Sequence, residues 1–208
     1  PRLFVSAAMM AGPETGLWAQ ALAAGADDVV AEREADDIAA ILYTSGTTGR
    51  SKGAMLSHGN LLSNAQTLVR LWDIRATDVL IHALPIFHVH GLFVALHTVL
   101  LAGGRTLFLP KFDAAQILAL MPRASLLMGV PTFYTRLLVE VGLDAAASGM
   151  RLFVSGSAPL LAETHRAFEA RTGQRILERY GMTEAGMITS KPLRGERVAG
   201  TVGFPLPD

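Results

Sequence analysis

The chain has 208 residues, half of them apolar, with 18 basic side chains balancing 18 acidic ones and no cysteine. Such a length can bury one substantial core or two small ones, and zero net charge argues against a nucleic-acid or other polyanion surface. The lack of cysteine excludes a disulfide framework, a thiolate metal site and a cysteine nucleophile, and suits a reducing, cytoplasmic setting.

Residues 1–38 carry little signature and are read as a leading segment, with the informative domain spanning 39–208. Residues 39–44 predict a strand, and Ser57 is placed to cap a helix whose Leu61, Ala65, Leu68, Val69 and Trp72 recur at helical spacing. Residues 79–84 predict the next strand, 92–101 a helix ended by Gly103 and Gly104, and 105–109 a short strand. Residues 113–121 predict a helix stopped by Pro122, and 125–130 a strand. Pro131 opens a helix holding Phe133, Leu137 and Val141. A strand over 151–155, a helix over 161–171 and a last short strand over 175–178 complete the pattern. Alternating strands and helices give an α/β fold, a largely parallel sheet flanked by helices.

The apolar tract at 79–102 is long enough for a bilayer, but it holds His82, Pro85, His88, His90 and His97. Pro85 and Gly91 cut it into a strand-sized and a helix-sized piece, so a buried strand, turn and core helix explain it, with no integral membrane contact.

The chemistry concentrates in the loop YTSGTTGRSKG at 43–53. Its small residues let backbone N–H groups turn onto a phosphate, Ser45, Thr47 and Thr48 add hydroxyl donors, and Lys52 adds a point charge. It is not a Walker A loop, because Arg50 and Ser51 separate Gly49 from Lys52. This loop, PIFHVHG at 85–91, the Val130-Pro131-Thr132 turn, SGSAPL at 155–160 and RYGMTE at 179–184 each fall at or just past the end of a predicted strand. Parallel crossovers bring such ends to one edge, where α/β sheets bind ligands, so five segments are expected to share one cleft.

The loop at 43–53, PIFHVHG and ERYGMTE at 178–184 resemble the three core motifs of the adenylate-forming acyl-CoA synthetases, and SGSAPL resembles their adenine-facing turn. The wording at 127–138 and 150–160 is most similar to malonate-CoA ligases. The resemblance implies ATP and coenzyme A as co-substrates, Mg2+, and a small carboxylic acid converted to an acyl-adenylate and then an acyl-CoA. It also implies a much longer protein, of which this chain is part of the large N-terminal domain, lacking the small C-terminal domain and unable to turn over alone. Surface left by the missing segments makes self-association a further expectation.

By the same resemblance, Thr44, Ser45, Gly46, Thr47, Thr48, Gly49 and Lys52 would hold the β- and γ-phosphates. Ser157, Ala158 and Pro159 would face adenine, together with Glu178, Arg179, Tyr180, Gly181 and Met182. Thr183 would donate to the α-phosphate and Glu184 would ligate Mg2+. His88 aligns with the position beside the reacting carboxylate, and His90 and Gly156 fall on the acyl side. Lys52, His88, Thr183 and Glu184 are the expected catalytic set. The spacing of His88 and His90 also suits a metal pair, but no third ligand lies nearby in sequence. A dicarboxylic acid leaves a second carboxylate to be paired, for which Arg136 is the leading candidate and Arg151 the second. A short-chain monocarboxylate ligase, a carrier-loading adenylation domain and an inactive nucleotide-binding fragment are the alternatives.

Overall fold

A computed structural model describes residues 30–44 and 52–207. The chain divides into two compact units, Pro1–Arg33 and Glu34–Asp208, and all described strands and helices belong to the second. Its strands are β1 (Ile38–Thr44), β2 (Lys52–Ser57), β3 (Val79–His82), β4 (Arg105–Phe108), β5 (Leu126–Gly129), β6 (Leu152–Ser155), β7 (Leu177–Met182), β8 (Gly186–Ser190) and β9 (Phe204–Pro205). Its α-helices are α1 (His58–Leu71), α2 (His97–Leu101), α3 (Ala114–Leu120), α4 (Pro131–Leu137), α5 (Leu143–Ala147) and α6 (Ala162–Thr172).

The sheet runs β4-β3-β5-β6-β7-β8-β9, parallel from β4 through β7 and antiparallel across β7-β8-β9. β5 and β6 are buried along their whole lengths, as strands covered on both faces must be. Phe168 of α6 closes one side, its ring edge-on both to Tyr134 at 5.4 Å and to Phe153 at 5.0 Å between centroids. Ser57 caps α1 as its sequence predicts, through a reciprocal box in which Asn60 N–H donates to Ser57 Oγ at 3.1 Å and Ser57 N–H to Asn60 Oδ1 at 3.0 Å. Among the described residues no helix is long and apolar enough to cross a membrane.

Four expectations need correction. β1 is not part of the parallel sheet: it pairs antiparallel with β2, from Ile38 opposite Ser57 to Thr44 opposite Lys52. A connection as short as 45–51 can join antiparallel neighbours, whereas a parallel pair needs a crossover of a dozen residues or more. The last parallel strand is longer than expected, because β8 holds Arg179 to Met182 extended, so RYGM lies within the sheet. β8 and β9 are additional. The helix opened by Pro131 ends at Leu137, and Val141 stands 94% exposed just before Gly142. Finally, the helix expected over 92–101 begins as a π-helical stretch, His90–Leu96, before tightening into α2. Such wide turns are frequent at functional sites, and this one carries His90.

Candidate functional site

Beyond the C-terminal ends of β3, β5 and β6, and along β7, lies an open hollow of about 580 Å3. His88 and His90 reach it from the turn after β3, Val130 and Phe133 from the start of α4, Ser157 from the turn after β6, and Arg179 and Thr183 from β7 and its end. Four of the five expected segments therefore converge. The fifth contributes Thr44 and Lys52, which face each other across the β1–β2 pair with Thr44 Oγ1 donating to the Lys52 carbonyl at 3.4 Å. Lys52 is exposed there and lines neither this hollow nor those beside it. Ser45, Gly46, Thr47, Thr48 and Gly49 lie outside the described residues.

The most unusual group in the hollow is Arg179. It is 4% exposed, and its Nε and one terminal nitrogen are buried without a hydrogen-bond partner among the described residues. Burial lowers the guanidinium to about 10, which still leaves it charged at neutral pH. A Cβ on Gly156 would stand 2.2 Å from Arg179 Cζ, so the bare glycine makes the room the guanidinium occupies. An uncompensated buried cation costs several kcal/mol in general, roughly, unless an anion joins it.

His90 stands close by. Its Nδ1 lies 3.0 Å from Ser157 Oγ, while its Nε2 is buried with no partner among the described residues. Burial first, then the charge of Arg179, hold the ring well below the usual histidine range, so it is neutral at physiological pH. Ser157 meets it from a left-handed backbone, φ 70°, a conformation that costs a serine energy and is kept where function over-determines it. His88 is exposed at the rim, its ring 4.7 Å from that of Phe87. A charged Arg179, two histidines and a serine hydroxyl around an apolar wall of Val130 and Phe133 are suited to a small acid with a polar tail.

Two smaller hollows flank it. One, about 230 Å3, lies between the 155–159 turn and Glu178 to Gly181, with Tyr180 half exposed along it. Its aromatic side and narrow walls suit a flat base. Glu178 beneath it is locked in a buried cluster, Oε1 accepting from Lys191 Nζ at 2.5 Å and standing 3.2 Å from His165 Nδ1. The other hollow, about 180 Å3, is lined by Glu184, Asn64, Phe93 and Leu56 of β2. Glu184 is exposed on the turn after β7. A single carboxylate free to reach outward fits Mg2+, which completes its shell with waters and substrate phosphate oxygens.

The two arginines proposed from sequence for a second carboxylate lie elsewhere. Arg136 is exposed, its Cζ 4.4 Å above the ring of Phe112, which in turn packs 4.3 Å from Phe133. Arg151 precedes β6, at the opposite edge of the sheet, where its Nε donates to Asp78 Oδ1 at 2.8 Å and a terminal nitrogen pairs with Oδ2. The motif resemblance places Arg179 on the nucleotide side, whereas its guanidinium also lines the main hollow. The signal in the sequence is two adjacent charged residues, Glu178 and Arg179, following the apolar Ile176 and Leu177, where each buried charge must find a partner of its own.

Comparison with known proteins follows the same lines. The family profile described as AMP-binding enzyme matches residues 5–208, reaching back through the leading segment that the motifs left uncharacterised. The malonate-CoA ligase of Arabidopsis thaliana is 42% identical over 193 residues, covering 83% of this chain and 32% of that protein. ATP-bound MatB from Rhodopseudomonas palustris superposes with a TM-score of 0.86 at 62% identity, over 90% of this chain and 38% of its own. A malonyl-CoA ligase in ternary product complex with methylmalonyl-CoA and AMP gives 0.81 at 42% identity, over 84% of this chain and 39% of its own. The chain thus spans about a third of the length of the curated relatives it matches.

Proposed function

The chain belongs to the AMP-binding enzyme family, and from that premise we propose that the full-length protein activates a small dicarboxylic acid, malonate foremost, with ATP and transfers it to coenzyme A. The observation that carries the choice of acid is the guanidinium of Arg179, buried in the hollow beside His90 with two nitrogens that find no partner among the described residues. It would bind the carboxylate that does not react. The other carboxylate, oriented by His88, attacks the α-phosphorus, giving an acyl-adenylate and pyrophosphate. The thiol of coenzyme A then attacks the acyl carbon, and AMP leaves.

Both steps build negative charge around phosphorus or a tetrahedral carbon, so positioned donors do most of the work. Thr183 donates to the α-phosphate, and Lys52 with the 45–49 loop draws on the leaving pyrophosphate. Mg2+ held by Glu184 would neutralise phosphate charge. A neutral His90 can accept or donate a hydrogen bond without adding a second cation beside Arg179. Tyr180 and the 157–159 turn would seat the adenine. By itself the 208-residue chain is expected to bind nucleotide without turning over, in a cytoplasmic setting.

Acid-dependent pyrophosphate exchange by the full-length protein tests the assignment. Exchange should be much faster with malonate than with butyrate. Equal or better use of butyrate would make the protein a monocarboxylate ligase, and adenylate formation without transfer to coenzyme A would favour a carrier-loading domain.

A further inference from the structure

The turn that carries Thr183 and Glu184 is gripped from outside the motif that contains it. Asn64, in the middle of α1, extends its side-chain amide across to β8: Nδ2 donates to the Met187 carbonyl at 3.0 Å, and Oδ1 accepts from the Met187 N–H at 3.1 Å. The amide thus imitates a neighbouring strand for one residue. Met182 pairs with Gly186, so Thr183, Glu184 and Ala185 are the whole connection between β7 and β8, and the clamp closes immediately after it.

The fit at that point is close. Gly186 adopts φ 66°, and a Cβ on it would lie 2.9 Å from Asn64 Oδ1, so the backbone and the amide leave no room for any other residue. The residue that caps the end of α1 holds β8 as well, Trp72 Nε1 donating to Ser190 Oγ at 2.9 Å. Asn64, Glu184 and Gly186 line one small hollow, and Met187 lines the main one. A shift of Met187 would therefore move both the reach of Glu184 and the wall facing the acid.

We propose that Asn64 is a positioning residue for the 183–185 turn, fixing where the Glu184 carboxylate and Thr183 hydroxyl meet Mg2+-bound triphosphate. This rests on the proposed function, and it extends the site to a helix with no motif residue in it. A plain packing role predicts something different: loss of stability, with no preference for the metal-bound nucleotide over the free one.

Calorimetric titration of the full-length protein with ATP, once in excess Mg2+ and once in excess chelator, separates the two. In N64A the advantage of MgATP over ATP should fall by about 10-fold, the cost typical of removing a group that orients a metal ligand, while affinity in chelator changes by less than about twofold. N64D keeps the acceptor for the Met187 N–H and should fall between wild type and N64A, and it replaces N64A if that variant does not fold. An unchanged MgATP advantage in the folded variant overturns the proposal, as does failure of both variants to fold. Wild-type protein that binds no ATP in either condition would overturn the proposed function, and this inference with it.

Discussion

Two arginines stand at opposite edges of the same parallel sheet, and their surroundings differ more than their burial does. Arg151, at the N-terminal edge, donates to both Asp78 oxygens and to the carbonyls of Trp72 at 3.3 Å and Asp73 at 2.9 Å. Asp78 is equally occupied, accepting from Ser125 Oγ at 2.7 Å and from the Arg75 N–H at 2.8 Å. Arg179, at the C-terminal edge, is more deeply buried and, among the described residues, lacks partners for two of its nitrogens. A fold that needs an ion pair for its own stability completes it. Under the proposed function, the incomplete one is where the acid's second carboxylate would bind.

The largest effect should come from removing the incomplete arginine. R179A in the full-length protein would delete two charge-assisted hydrogen bonds to the distal carboxylate, and kcat/KM for malonate should fall about 100- to 1,000-fold. Butyrate, which has no distal charge, should change by no more than about threefold, since the variant also removes a buried cation. Pyrophosphate exchange with the two acids measures both. Parallel losses would mean that Arg179 supports the site as a whole, and the contrast with Arg151 would lose its functional meaning.

Removing the complete arginine should do the reverse. R151M leaves the Asp78 carboxylate, 4% exposed, without its ionic partner, and should cost about 2 to 3 kcal/mol of stability at neutral pH with the malonate-to-butyrate preference intact. The pH dependence has a defined sign. Burial alone would raise the Asp78 carboxyl, but donation from Arg151 and Ser125 holds it below its usual value of 3.8. Its contribution is therefore complete above 3.8 and is lost as pH falls through the lower folded value. Urea unfolding at neutral and strongly acidic pH should show the gap between wild type and R151M closing in acid. A gap that stays constant would assign the loss to packing of the arginine stem.

The same contrast explains what could be read from the chain alone. Periodicity exposed the buried strands, because residues such as Leu126 to Gly129 and Leu152 to Ser155 are covered on both faces and so form unbroken apolar or small runs. Ser57 announced the start of α1, since capping is local chemistry. Motif strings brought His88, His90, Ser157 and Thr183 to one hollow. Direction of a side chain was beyond that reach. Arg179 and Tyr180 are adjacent in sequence, yet alternation along β7 buries one where it lines both the main and the base-sized hollow, and leaves the other half exposed along the base-sized one alone. Partnership was equally hidden, because Asp78 and Arg151 are 73 residues apart and Asn64 and Met187 are 123 apart.

The smallest effect is expected at Arg136, and it sharpens the comparison most economically. Its guanidinium is exposed and stacks on Phe112, which leans on Phe133 in the wall of the hollow. An exposed cation–π contact contributes about 0.5 to 1 kcal/mol, so R136A should lower kcat/KM for malonate by at most about fivefold, through slight loosening of that wall. Butyrate should suffer equally, because loosening an apolar wall does not discriminate by charge. A selective loss of malonate approaching that of R179A would instead show that Arg136 swings from Phe112 onto the ligand. The second carboxylate would then lie toward α4, and the free N–H donors of Arg179 would belong to the nucleotide side.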